Sequence, residues 1–154
     1  MLIGKNPLNE APEWFVKNIA ERPEECSVNV NGANVKYFIW GDKSKKPLLL
    51  LHGYNAHSFW WDHIAPSLTE NHCVVGLDFS GMGESDRREV YSQEIFVDDV
   101  KGVIDDLSWK SCTCIAHSMG GSIATLATSI YPDIFEHLIS VSYTHLTLPT
   151  KVTV

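Results

Sequence analysis

Ser118 lies in the stretch TCIAHSMGGSIA (113–124), between an apolar run and an amphipathic run. A sharp strand-to-helix turn is a typical place for a nucleophile, because the turn holds the hydroxyl outward over small neighbours. Ala116, Gly120 and Gly121 are small enough for this role. The free N–H groups at the start of the following helix would favour a developing oxyanion. A serine that only caps a helix beside glycines is the alternative interpretation.

Two glycine-containing motifs precede this stretch, and each follows an apolar run directly. They are LLLLHGYN (48–55) and GLDFSGMGESD (76–86). Both runs are typical of buried strands, and both motifs are typical of the loops that follow them. Three motifs in this order form a more specific signal than the serine stretch by itself.

Together the motifs resemble the α/β-hydrolase superfamily, from about Ser27 to Ser140. The resemblance implies that Ser118 is the nucleophile of a serine hydrolase acting on a carboxylic ester or similar acyl substrate, with no cofactor or metal. It further implies that the backbone N–H groups of Tyr54 and Met119 bind the oxyanion. Positions that the resemblance assigns to supporting the motifs are His52, Gly53, Asp78, Gly81, Gly83, Ser85 and Gly120.

Some features separate branches of the superfamily, and others leave them open. Ala116 stands where most members have glycine, and a methyl group fits beneath the turn. Serine at the turn argues against the haloalkane dehalogenase and epoxide hydrolase branches, whose nucleophile is a carboxylate. C–C bond hydrolases, thioesterases, lactonases, cofactor-free haloperoxidases and non-catalytic ligand-binding members remain alternatives. We expect His117 to point away from the pocket and His57 to be a surface side chain.

The resemblance places the catalytic acid and histidine after the serine, where this sequence holds only His137 and His145. The tail Val141–Val154 resembles a translated sequencing adaptor, since the adaptor codons GTC TCT TAT ACA CAT CTG ACG CTG CCG ACG encode 141–150 without a mismatch. We therefore expect the tail to be non-native, the proton acceptor to be absent, and this chain to be inactive.

The composition excludes several classes of partner. The net charge of −7 disfavours nucleic acid and anionic membrane surfaces as partners. The resemblance implies a small-molecule ester or acyl substrate instead. No stretch is typical of a signal peptide or a membrane span. Four cysteines without metal-site spacing favour a reducing, cytoplasmic location. The sequence leaves the oligomeric state open.

The alternating patterns predict an α/β fold with a mostly parallel sheet covered by helices on both faces. The resemblance implies that this is the α/β-hydrolase fold, truncated after about the sixth strand. Asn31-Gly32 predicts an opening hairpin, and the spacing of Trp61, Ile64, Ala65 and Leu68 indicates a helix interrupted near Pro66. We divide the chain into a helical extension (1–24), the N-terminal part of a hydrolase core (25–140) and the tail (141–154).

Overall fold

The computed structural model describes residues 10–141, so most of the predicted non-native tail, including His145, lies outside the described residues. One sheet runs in the order β1-β2-β4-β3-β5-β6. Its strands are β1 (Glu24–Val30), β2 (Ala33–Trp40), β3 (Lys46–Leu51), β4 (His72–Leu77), β5 (Cys112–His117) and β6 (Phe135–Val141). The helices are α1 (Glu13–Ala20), α2 (Gln93–Asp106) and α3 (Met119–Ile130).

The opening hairpin forms at the predicted turn. Asn31 and Gly32 have φ angles of 48° and 88°, and they join β1 to β2 in antiparallel register with Val30 opposite Ala33. Positive φ at both turn positions matches the right-handed twist of the flanking strands. Asn31-Gly32 therefore sets the register of the first two strands through local conformation.

The centre of the sheet is parallel, as the alternation of strands and helices predicts. β3 pairs in parallel with β4 and β5, and β5 pairs in parallel with β6. The leucines of β3 alternate between two cores: Leu49 and Leu51 face the α2 and α3 side, whereas Leu48 and Leu50 face the other side. Because the strand is buried on both faces, its sequence is continuously apolar.

The opposite face is covered by short elements and by α1. The side chain of Asn18 in α1 donates hydrogen bonds to the His63 carbonyl at 2.8 Å and to Ser67 Oγ at 2.7 Å. The α/β architecture with helices on both faces is thus confirmed. Within residues 10–141, none of the helices combines the length and apolar character that crossing a membrane requires.

The prediction of one helix that contains Trp61 and Leu68 is wrong in the type of helix. Two short 3₁₀ helices, Ser58–Trp61 and Ala65–Leu68, take its place. Pro66 lies in the first turn of the second 3₁₀ helix, where a proline is tolerated. A single α-helix running through both segments would have Pro66 in its interior, where the missing N–H would break it. Trp61 and Ala65 are buried in the second core, so the apolar spacing identified the buried positions correctly although the helix type differs.

Candidate active site

Ser118 has a strained backbone at the junction of β5 and α3. Its φ is 52° and its ψ is −118°, a region that non-glycine residues rarely adopt and that costs about 1–3 kcal/mol. The Ser118 N–H donates to the Val141 carbonyl at 3.0 Å, and the Ser118 carbonyl accepts from the Gly121 N–H at 2.9 Å. The side chain makes no capping hydrogen bond to α3. The helix-capping alternative therefore does not describe this serine.

Small residues allow the strained turn to pack. A Cβ added to Gly120 would stand 2.8 Å from the His52 carbonyl oxygen and 2.9 Å from that of Leu51. A Cβ on Gly121 would stand 2.5 Å from Ser140 Oγ. Ala116 is fully buried on the strand side. The turn lies so close to β3 and β6 that a larger residue at Gly120 would meet main-chain atoms.

The loop after β3 lies against this turn. A Cβ on Gly53 would stand 2.9 Å from His117 Nδ1 and 3.3 Å from the Ser118 Cβ. Tyr54 follows directly, and its side chain is 78% exposed. Within residues 10–141 the main-chain N–H of Tyr54 donates to no other group. The Met119 N–H belongs to the first turn of α3, where helix N–H groups have no partner inside the helix.

A cavity of about 560 Å³ opens at Ser118. Its wall includes Tyr54, His57, Trp60 and His117. The expectation that His117 would point away from the pocket is therefore wrong. His57 is an exposed surface side chain, as predicted, and it also lies at the edge of the cavity. The His117 ring stacks on the Trp60 indole, and this aromatic contact turns the imidazole toward the cavity although the backbone bends sharply. Within the described residues, no hydrogen bond joins Ser118 to an imidazole.

His52 supports the loop through both ring nitrogens. Its Nδ1 lies 2.7 Å from the Gly53 carbonyl oxygen, and its Nε2 accepts a hydrogen bond from the Phe79 N–H at 3.1 Å. This pattern requires the neutral ring with its proton on Nδ1. Burial lowers the pKa of His52, while the Gly53 hydrogen bond and the charge of Asp78 oppose that effect. His52 therefore connects the loop after β3 to the loop after β4. Because both of its nitrogens are occupied, it is not free to accept a proton from Ser118.

Asp78 anchors the loop after β4. Its buried Oδ1 accepts from both the N–H and the hydroxyl of Ser58 at 2.6 Å, and its Oδ2 accepts from the Glu84 N–H at 2.8 Å. Gly83, with φ 54°, comes so near that an added Cβ would stand 2.0 Å from Asp78 Oδ2. The Ser85 hydroxyl donates to the Asp78 carbonyl at 2.6 Å and closes the loop.

The remaining loop glycine meets a different neighbour. Gly81 has φ 79°, and a Cβ there would stand 2.3 Å from Tyr91 Oη. The Gly81 N–H donates to the Asp86 carbonyl at 2.9 Å. The contacts of Asp78, Gly81, Gly83 and Ser85 thus stay within the loop and its supports, and none of these residues lines the cavity at Ser118.

The comparison with protein families decides the identity of the fold. A family model described as "alpha/beta hydrolase fold" matches residues 46–152. The chain belongs to the α/β-hydrolase fold family. The matched region includes the strained serine, the loop after β3 and the Asp78 loop.

The relatives of this chain include proteins named as epoxide hydrolases and proteins named as serine hydrolase-like. Epoxide hydrolase 4 of Mus musculus is 32% identical over 131 residues, covering 82% of this chain and 36% of the relative. A serine hydrolase-like protein of Danio rerio is 35% identical over 118 residues, covering 75% of this chain and 36% of the relative. The chain therefore spans little more than a third of the length of these curated relatives.

Solved structures give the same family. Epoxide hydrolase A from Mycobacterium thermoresistibile superimposes with a TM-score of 0.73 at 27% identity, covering 78% of this chain and 39% of that one. The thioesterase domain from the curacin biosynthetic pathway superimposes with a TM-score of 0.74 at 28% identity, covering 79% and 46%. The fold is thus shared by enzymes named for different reactions.

A buried ionic network beside the site of this α/β hydrolase was missed by sequence reasoning. Asp99 is fully buried, and its Oδ2 accepts from the Ser80 N–H at 2.8 Å and from the Ser80 hydroxyl at 2.6 Å. Arg88 Nη2 donates to Asp99 Oδ1 at 2.9 Å. Burial raises the pKa of Asp99, although Ser80 and the Arg88 charge oppose it. An acidic residue at a buried helical position was the one sequence signal that could have revealed this network.

Potential metal ligands and thiols are the remaining reactive groups. Residues 10–141 contain no group of three or more His, Cys, Asp or Glu side chains that could hold a metal ion. Burial raises the pKa of the Cys112 thiol to about 12 and that of Cys114 well above its usual value, so both remain protonated thiols.

Proposed function

We propose that the protein to which this chain belongs is a serine hydrolase that cleaves a carboxylic ester or a similar acyl substrate. The observation that carries the proposal is the conformation of Ser118, whose uncapped hydroxyl lines a cavity from a backbone held at φ 52°. Strain of this kind persists only where surrounding contacts maintain it, and it is concentrated at functional sites.

In the proposed reaction, Ser118 Oγ attacks the acyl carbon while a base removes the hydroxyl proton. The carbonyl oxygen becomes an oxyanion, which accepts hydrogen bonds from the N–H groups of Tyr54 and Met119. The tetrahedral intermediate collapses to an acyl-serine, and the alcohol leaves with the proton. Water then attacks the acyl-serine, and the acid is released as Ser118 regains its proton.

The base is the missing part of this scheme in residues 10–141. Both nitrogens of His52 are occupied, and His137 pairs with Thr113 near the start of β5, at the far end of the strand from Ser118. His57 and His117 line the same cavity, but within the described residues neither imidazole makes a hydrogen bond with Ser118. We propose that the base and its orienting acid belong to a part of the protein outside the described residues. The chain by itself is then a slow nucleophile, because a serine hydroxyl without a base stays protonated at neutral pH.

Ester chemistry is the better proposal than epoxide opening. The curated relatives include both epoxide hydrolases and serine hydrolase-like proteins, but a hydroxyl stands at the turn where the epoxide-opening branch has a carboxylate. Tyr54, Phe59 and Trp60 line the cavity and supply an apolar wall for the acyl or alcohol group. Trp61, the next residue, is only 6% exposed and belongs to the core, so it does not contribute to this wall.

A cytoplasmic location is part of the proposal. All four cysteines are free, and Cys73, Cys112 and Cys114 are buried. Such thiols survive unpaired in a reducing compartment.

Chemical rescue tests the function on this chain. The purified chain is treated with a fluorophosphonate at increasing imidazole concentrations, and mass spectrometry of peptides measures the adduct on Ser118. We expect slow labelling that accelerates in proportion to free imidazole, because the added base replaces the missing one. Ser118→Ala is the matched control and gives no adduct at that peptide.

Two outcomes would contradict the proposal in different ways. Absence of labelling at every imidazole concentration in a folded chain would favour a non-catalytic ligand-binding member. Rapid stoichiometric labelling without imidazole would show that a base is already present in this chain. Circular dichroism of both proteins establishes that the comparison is made on folded material.

A further inference from the structure

A second cavity lies beside the one at Ser118. Its volume is about 460 Å³, and it shares Tyr54 and Asn55 with the first cavity. The two spaces are therefore neighbours on either side of the loop after β3. A substrate that extends from Ser118 past Tyr54 would enter this second cavity.

The second cavity has a cationic wall. Arg87 and Arg88 both line it, and none of its lining residues is acidic. The charge of Arg88 is already matched, because its guanidinium pairs with the buried Asp99 at 2.9 Å. Arg87 is exposed and makes no ion pair within residues 10–141. The second cavity thus contains a guanidinium without a paired carboxylate, in a chain whose net charge is −7.

The rest of the wall suits a short carbon chain. Tyr91 and Phe96 stack with ring centroids 6.0 Å apart and planes inclined by 27°. Met82 lines the same space. Apolar side chains around one charged group are typical of a ligand pocket in which the charge fixes orientation.

We propose that the substrate carries a carboxylate that binds Arg87 in the second cavity while its ester carbonyl lies at Ser118. The inference rests on the proposed hydrolase function and adds the substrate class. A guanidinium presents paired N–H donors that match the two oxygens of a carboxylate. The substrate is thus a half-ester of a dicarboxylic acid, or an ester with an equivalent free acid group.

Binding is tested first, without any reaction. The ¹⁵N-labelled chain is titrated with monomethyl glutarate and, in parallel, with the neutral dimethyl glutarate, while amide and Arg Nε–H resonances are followed by NMR. We expect the acid to shift Tyr54, Arg87 and Tyr91, and the diester to leave Arg87 unchanged. Arg87→Gln weakens binding of the acid by about two- to fivefold, the range for an exposed ion pair.

The matched control removes a positive charge at the opposite end of the parallel strands. Lys46 is exposed at the start of β3, whereas the cavities lie beyond the end of that strand. Lys46→Gln leaves binding of monomethyl glutarate unchanged, and Arg87→Lys retains part of it. Equal binding of the acid to wild type and Arg87→Gln would overturn the inference.

Reaction is tested second, with imidazole as the added base. Mono-p-nitrophenyl glutarate and its methyl ester are compared by mass spectrometry as acylating agents for Ser118. We expect the acid to react faster, with an advantage that Arg87→Gln removes. Equal acylation by both esters overturns the carboxylate preference and leaves the hydrolase function standing. Glutarate binding at Arg87 without acylation by either ester contradicts the hydrolase function and leaves the anion site standing.

Discussion

The imidazole of His117 stacks on the indole of Trp60, with ring centroids 5.6 Å apart and planes inclined by 21°. The same imidazole occupies the space beside Gly53 that a side chain at position 53 would need. The stack therefore connects the loop after β3 to the turn that carries Ser118. We therefore expect a change at Gly53 to affect the two proposed oxyanion donors, Tyr54 and Met119.

Gly53→Ala tests this connection. The new Cβ would stand 2.9 Å from His117 Nδ1 and would displace the imidazole from Trp60. We expect a loss of about 1–3 kcal/mol in the free energy of unfolding, measured by urea denaturation, and a slower imidazole-assisted labelling of Ser118. His117→Ala in the same chain removes the clash and should restore most of the stability. Equal losses with and without His117 would refute the contact.

Gly120→Ala and Gly121→Ala should differ sharply. At Gly120 the new Cβ meets the main-chain oxygens of Leu51 and His52, which cannot rotate away, so we expect a loss of roughly 3 kcal/mol. At Gly121 it meets only the Ser140 hydroxyl. Ser140→Gly should relieve that clash, and alanine then favours the helix by up to about 1 kcal/mol. Thermal denaturation of the four variants gives the ranking, and a relief of Gly120→Ala by Ser140→Gly would be inconsistent with these contacts.

Arg88→Gln should destabilise the chain through Asp99. Removing the guanidinium leaves a fully buried carboxylate without its cation, at a cost of roughly 3 kcal/mol in the free energy of unfolding. Asp99→Asn added to Arg88→Gln removes the buried charge, so the double variant should be more stable than Arg88→Gln alone. Urea denaturation at neutral pH measures both. Additive losses in the two variants would show that the pair is not coupled.

The stability of the chain should fall as the pH drops below about 6.5, the usual pKa of histidine. Burial lowers the pKa of His52 in the folded state, so the unfolded chain takes up a proton first and the folded state loses stability. The loss is at most about 1.4 kcal/mol per pH unit for one proton, and it ends at the lowered pKa. His52→Asn should flatten the pH dependence of the unfolding free energy between pH 8 and the acid limit of folding.

The pKa of Asp99 is shifted in the direction that stabilises the folded state as the pH falls, which is opposite to the effect of His52. Asp99 therefore provides the control for the His52 experiment. Burial raises its pKa, so the folded state takes up this proton more readily than the unfolded chain as the pH falls. Asp99→Asn should therefore make the loss of stability at low pH steeper. A steeper profile in His52→Asn instead would contradict the assignment of the low-pH loss to His52.

The outer edge of β6 should drive self-association. Within residues 10–141, β6 pairs with β5 alone, and Leu138, Ile139 and Val141 on it are 36–51% exposed. Exposed apolar edge strands pair with other chains. Ile139→Lys should lower the association measured by analytical ultracentrifugation, whereas Val90→Lys, at an exposed loop position, should not. Equal effects of both lysines would indicate that net charge matters and the edge does not.

Much of this protein follows from local sequence. Asn31-Gly32 determines its hairpin because both residues tolerate positive φ. The continuous leucines of β3 predict a strand buried on both faces. The serine turn was identifiable because glycines and alanine stand where only small residues fit, and the order of the three motifs predicted the family.

Other features depend on tertiary structure, because spacing along the chain does not determine which side chains meet. His52 and Phe79 lie in the loops that follow β3 and β4, and only the pairing of these two strands brings Nε2 to the Phe79 N–H. Sequence placed His117 away from the pocket, whereas stacking on Trp60 turns it inward. Arg87, Arg88 and Asp99 looked like ordinary charged residues, and the fold decided which charge is buried, which is matched and which faces a cavity.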